Sequence, residues 1–153
     1  MKFIADAPLG KLAKWLRILG YDTLYFQEKG LKKLLEKAER ENRMILTRNR
    51  QLRKLLVEKK SLFITQNQPW LQLKEVIQAY NLEKSRKPFS LCLLCNQPLR
   101  EIAKSKIEGK VPEYVYDTQN NFFTCPQCQR IYWPGTHLQG MEEKIDTLCW
   151  EGD

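Results

Sequence analysis

Two Cys-x-x-Cys pairs, Cys92-Leu-Leu-Cys95 and Cys125-Pro-Gln-Cys128, stand 29 residues apart in the second half of a 153-residue chain. Each pair sets two thiols on one tight turn, and four thiolates brought together make a closed tetrahedral zinc site. A short segment with few helical stripes needs such a staple in order to fold. A redox role for the cysteines is the competing reading. Redox motifs rarely come as matched pairs, however, and neither pair opens a helix of a thioredoxin-like unit. Cys92, Cys95, Cys125 and Cys128 are therefore expected to hold one structural Zn2+. Around the pairs, Tyr114-Val115-Tyr116, Phe122-Phe123 and Ile131-Tyr132-Trp133 read as strands of a small ribbon. Their aromatics either fill the core beside the metal or stack on bases. His137, the only histidine, has no ligand role in a four-cysteine site and reads as structural or as a phosphate contact. Cys149, in an acidic tail, reads as a spare thiol.

The first half has a different pattern. An apolar run, Phe3-Ile4-Ala5, stops at Asp6, and after Pro8 a stripe of Leu9, Leu12, Ala13, Leu16 and Leu19 recurs at offsets of three and four. That is a strand, an acidic turn and a helix. Pro8 suits the first turn and Gly20 the end of the last. Lys11, Lys14 and Arg17 fall on the side the stripe leaves free. Thr23 to Phe26 reads as a second strand, and Leu31, Leu34, Leu35 and Ala38 mark a second helix closing near Asn42. Met44 to Thr47 is a third strand. A basic helix follows, with Leu52, Leu55 and Leu56 inward and Arg53, Lys54, Lys59 and Lys60 outward. Leu62 to Thr65 is the fourth strand, and Pro69 leads into a helix carrying Trp70, Leu73, Ile77 and Tyr80. Strands alternating with helices imply right-handed crossovers and a mainly parallel sheet flanked by helices, an α/β fold. The polar, proline-ended Glu83 to Pro88 reads as a hinge. It divides the chain into an α/β domain over 1–85 and a small β-rich zinc ribbon with its tail over 86–153.

Lysines and arginines outnumber acids by 26 to 18, a formal charge of +8, which favours polyanions and nucleic acid above all. No apolar run is long enough to span a bilayer, and the first residues lack a secretory signal's apolar core and cleavage site. A soluble, cytoplasmic protein is the expectation. At the carboxyl ends of the four strands stand Asp6, Glu28, Asn49 and Asn67, all bearing side-chain oxygens. Ligands of open α/β sheets bind beyond those ends. A hard cation such as Mg2+ or Mn2+ takes oxygen ligands, so Asp6, Glu28 and Asn49 form a candidate catalytic set. Lys11, Lys14, Arg48, Arg50 and Arg53 would make one basic edge for an RNA backbone. An Asp near a helix start is also a common cap, and that reading of Asp6 stays open. No Ser-His-Asp arrangement competes, and no Gly-rich phosphate loop follows the first strand.

The runs FIADAPLGKLAKWLRILGYDT, ILTRNRQL, CLLCNQPL, VPEYVYD and CPQCQRIYWPGTH together resemble the PIN-like ribonuclease family named for the C-terminal region of the Mut-seven exonuclease. The resemblance covers Lys2 to about Met141. It implies a PIN-like α/β domain fused to a zinc ribbon, with divalent-metal ribonuclease activity. The first acid of the family motif falls on Asp6, and the Asp after Gly-Tyr falls on Asp22, which by the strand reading sits at the opposite sheet end and is structural. Two departures stand out. Thr47-Arg48-Asn49 replaces the usual Thr-Arg-Asp, and Gly30-Leu31-Lys32-Lys33 replaces an acidic cluster. Fewer carboxylates weaken a cation site by simple Coulomb reasoning. Two readings follow: a metal-dependent ribonuclease of reduced strength, or an inactive RNA-binding module on the same fold.

Overall fold

The structure is a computed structural model and describes residues 1–55, 61–82, 87 and 90–134. Phe3, Ile4 and Ala5 carry no side-chain polar atom and are fully buried, as a strand covered on both faces must be. They form β1 (Phe3–Ala5) at the centre of a parallel sheet. β2 (Thr23–Tyr25) pairs with one edge of β1 and β3 (Met44–Thr47) with the other, while β4 (Ser61–Phe63) pairs with β3. The sheet order is β2-β1-β3-β4.

The chain therefore leaves β1 in one direction and later returns to β3 on the other side. With crossovers of one hand, that reversal sends the helix between β1 and β2 to one face and the next two crossover helices to the other. Phe3, Ala5 and Leu46 pack against α1 (Gly10–Ile18) and α4 (Pro69–Tyr80) through Leu12, Leu16, Leu73 and Ile77. Ile4 and Ile45 pack on the other face against Leu34 and Ala38 of α2 (Leu31–Glu41) and Leu52 of α3 (Arg50–Leu55). Alternate residues of β1 and β3 thus serve two cores.

Local signals set the helix ends. Ala7–Leu9 forms a 3-10 turn with Pro8 inside it, so the α-helix proper starts one residue after Leu9. Asn42 closes α2 in the left-handed conformation, φ 55°, which asparagine tolerates better than most residues. Gly20, at φ +95°, closes the turn after α1. A Cβ there would stand 2.3 Å from the Lys87 carbonyl oxygen.

Several expectations are corrected. β4 ends at Phe63 rather than Thr65, because the Thr65 and Gln66 amides donate to the Glu75 carboxylate on α4 instead of continuing the ladder. Arg17 is not on a free face but buried. Tyr114-Val115-Tyr116 is helical, lying in α5 (Glu113–Thr118). Pro112 presets the backbone there and its carbonyl accepts from the Val115 and Tyr116 amides, and three alternating residues are too few to separate a strand from a helical turn. The antiparallel ribbon is β5 (Arg100–Ile102), β6 (Phe122–Thr124) and β7 (Ile131–Tyr132), in that order. β5 is largely exposed and had no apolar signal. Ile107, Val115 and Phe122 form the ribbon's small core. His137, Cys149, the side chains of Arg53 and Lys54, Leu56, Lys59, Lys60 and the proposed hinge apart from Lys87 lie outside the described residues. Among the described residues no helix is long and apolar enough to cross a membrane.

Candidate active site and cysteine centre

The order reversal puts a crevice beyond the carboxyl ends of β1 and β3, the switch point where open α/β sheets bind ligands. Asp6 follows β1 directly and is buried, 8% exposed. Its Oδ2 accepts a hydrogen bond from the Thr47 hydroxyl and a longer one, 3.3 Å, from the Arg48 amide. Its Oδ1 is buried with no partner. Burial raises the Asp6 pKa above the usual carboxylate value, against the opposing pull of the Thr47 and Arg48 hydrogen bonds. A buried carboxylate with an unused oxygen is costly unless a cation or proton meets it.

Beside Asp6 lies a cavity of about 260 Å3, lined also by Glu28, Asn49 and Arg48, with Phe26, Leu34 and Leu52 among its apolar walls. The structure thus brings Asp6, Glu28 and Asn49 around one space. Asn67 does not line it. Arg48 donates to the Gln66 carbonyl and, at 2.7 Å, to Asn67 Oδ1, tying the loop after β3 to the loop after β4. Asn49 Oδ1 accepts from the Gln51 amide at 2.9 Å, the arrangement of a helix cap at the start of α3. Thr47 is the residue that sequence reasoning passed over; a hydroxyl at a strand end beside an acid was the available signal. Lys11 and Arg50 are exposed. Lys14 lines a different depression, next to the ribbon.

The cysteines converge. The Sγ atoms of Cys92, Cys95, Cys125 and Cys128 all lie within 4.8 Å of one another, and those of Cys92 and Cys128 are 3.7 Å apart. Zinc–sulfur bonds of about 2.3 Å in a tetrahedron place sulfurs about 3.8 Å apart. The cluster has the size and donor set for such an ion. Both knuckles share one hydrogen-bond plan. The Asn96 amide returns to the Cys92 carbonyl and the Gln129 amide to the Cys125 carbonyl, while the Cys92 and Cys125 amides donate to the Gln97 and Arg130 carbonyls. Asn96 and Gln129, each just past a second cysteine, have φ of 57° and 64°. Burial pushes the Cys92 thiol up, but hydrogen bonds led by the Tyr132 hydroxyl, 3.1 Å away, draw it down to about 7. A thiolate is the form a metal binds.

The first knuckle is docked on the α/β sheet. Arg17 Nε donates to the Thr23 carbonyl at 2.8 Å and its Nη1 to the Leu93 carbonyl at 2.6 Å. Asn96 Oδ1 accepts from the Thr23 amide at 3.0 Å, and its amide group donates to Asp22, which also holds Arg43 at 2.8 Å. Asp22 thus stands at the amino end of the sheet, away from Asp6.

The Mut7-C RNAse domain profile matches residues 1–145, nearly the whole chain. The chain belongs to the Mut7-C RNAse family. No curated protein and no solved structure matches it. Membership in Mut7-C agrees with the α/β sheet and the four-cysteine ribbon, and it points to a ribonuclease-type function with RNA as the substrate.

Proposed function

We propose that this Mut7-C chain is a divalent-metal-dependent ribonuclease of PIN-like type, cutting at the crevice over β1 and β3. The observation that carries the reading is the Asp6 carboxylate, fixed through one oxygen by Thr47 and left without a partner at the other. An orphaned, buried acceptor suits a hard cation, and Glu28 and Asn49 add oxygens around the same cavity. Mg2+ or Mn2+ held there supplies a water of lowered pKa and positive charge against the phosphodiester. Thr47 orients Asp6, and the apolar walls limit solvent. Arg48, with Lys11, Arg50 and Arg53, would hold the backbone phosphates. Residues 1–85 form the cutting unit in this reading, and Zn2+ on the four cysteines holds the ribbon of residues 86–153.

Two observations favour a second reading, an RNA-binding module that does not cut. Asn49 already uses its amide oxygen as a cap, and the cavity lining has only two carboxylates, with the cationic Arg48 beside them. Asn49→Asp separates the readings. Aspartate preserves the cap. A new charge about 4 Å from a divalent ion contributes several kcal/mol before desolvation and repulsion are subtracted. Mn2+ affinity by calorimetry should rise at least tenfold, and cleavage of a labelled single-stranded RNA should rise with it. Asp6→Asn should abolish cleavage. Unaltered Mn2+ affinity in Asn49→Asp, with cleavage surviving in Asp6→Asn, would refute the crevice as the cutting site, and no cleavage by either the parent or Asn49→Asp would refute the nuclease reading.

A further inference from the structure

A second depression, of about 460 Å3, lies between α1 and the two cysteine knuckles, within the size range of small-ligand clefts. The crevice over β1 and β3 does not use it. Its apolar and aromatic lining includes Leu94, Tyr132 and Trp133, and its charged lining is Lys14, Lys110 and Arg130, with no acid. Leu94, a large apolar side chain on the first knuckle, is 49% exposed. The floor is fixed. The Tyr132 hydroxyl is engaged with Cys92 Sγ, Trp133 rests beside Phe122 with ring centroids 6.4 Å apart, and Arg17 holds the Leu93 carbonyl.

The geometry points to this depression as a binding site for one unpaired base of a single-stranded RNA, stacked among Leu94, Tyr132 and Trp133, with its flanking phosphates on Lys14, Lys110 and Arg130. Aromatic faces beside cations of one sign form the pattern that holds single strands, because stacking takes any base and the cations take the backbone. A duplex base has both faces covered and cannot enter. Lys11, exposed and one turn back along α1 toward Asp6, continues the cations in the direction of the crevice. The inference rests on the reading that the chain acts on RNA, and it adds a holding site distinct from the cutting site.

The test uses the full zinc-loaded chain, a fluorescein-labelled twelve-nucleotide oligouridylate, the same strand with abasic positions and a duplex of equal length, without added divalent metal. Anisotropy should show the single strand bound at least tenfold tighter than the duplex and the abasic strand. Lys110→Glu and Arg130→Glu, both on exposed positions, should each weaken single-strand binding about tenfold and flatten its salt dependence. A 5-iodouridine strand should cross-link to Tyr132 or Trp133. Equal binding by the charge variants and the parent, no binding by the parent, or cross-links confined to the Asp6 crevice would each overturn the site. Equal binding of the abasic strand would leave a phosphate patch only and overturn the base-holding claim. A parent that binds through these residues but cleaves under no divalent metal refutes the nuclease reading alone. A parent that cleaves yet ignores every groove change refutes the groove alone.

Discussion

Replacing Arg17 with methionine keeps most of the buried stem and removes one charge and two short hydrogen bonds. Those bonds, to the carbonyls of Thr23 and Leu93, join β2 to the first cysteine knuckle. Hydrogen bonds to charged groups contribute about 1.5–3 kcal/mol each. The two share one guanidinium and do not add fully, so a loss of roughly 3 kcal/mol is expected. Arg17 also has an electrostatic role. Burial lowers its pKa, and the neighbouring Cys92 is the largest influence raising it. Four thiolates around Zn2+ carry a formal surplus of two negative charges, and Arg17 is the buried cation beside them. Urea unfolding of the zinc-loaded protein should show the loss, and zinc should pass faster to a competing chromogenic chelator. Arg17→Lys should recover little, since a single ammonium cannot fork between two carbonyls. A loss under about 0.5 kcal/mol in Arg17→Met, with unchanged zinc release, would refute the role assigned to this residue.

Two further outcomes are expected. The Asp6 pKa is raised in the folded chain above 3.8, so the native state binds more protons than the unfolded state. Its contribution is complete below the unfolded value and lost as pH climbs through the folded one. Without divalent metal, the parent should therefore lose stability relative to Asp6→Asn as pH rises above the unfolded value of 3.8, in urea titrations. The opposite slope would contradict the burial of this carboxylate. Gly20→Ala should cost about 1–3 kcal/mol in the same assay, because φ is +95° and the new methyl meets the Lys87 carbonyl oxygen at 2.3 Å. A neutral result would show that the segment at Lys87 does not press on this turn.

The α/β sheet was legible because each strand and helix has its own periodic signal, and their alternation implies a parallel sheet flanked by helices; the strand order β2-β1-β3-β4 came only with the structure. Met44–Thr47 and Pro69–Tyr80 needed no tertiary information beyond a buried run and a proline at a helix start. The cysteine centre was legible from spacing alone. What failed is what depends on partners distant in sequence. Arg17 sits on the polar side of the α1 stripe, and only the knuckle some 76 residues later explains its burial. β5 forms because β6 offers an edge, not because Arg100-Glu101-Ile102 favours a strand. The strand ends located Asp6, Glu28 and Asn49, but neither the Thr47 hydroxyl bond nor the capping use of Asn49 follows from a list of residues. Lys14, assigned from sequence to the same basic edge as Arg48, lines the depression beside the ribbon and not the Asp6 cavity.

The Thr23 amide has an unusual acceptor for the first residue of a strand. It donates to the side chain of Asn96, on the metal knuckle, rather than to the backbone of its own sheet. In hydrogen exchange, this one N–H is protected only while the knuckle is seated. Its exchange rate therefore clocks undocking of the ribbon, whereas amides inside β1 and β3 clock opening of the sheet. A chelator titration followed at Thr23 and at Ile45 would then separate, in one sample, the lifetime of the metal-held part from that of the rest of the chain.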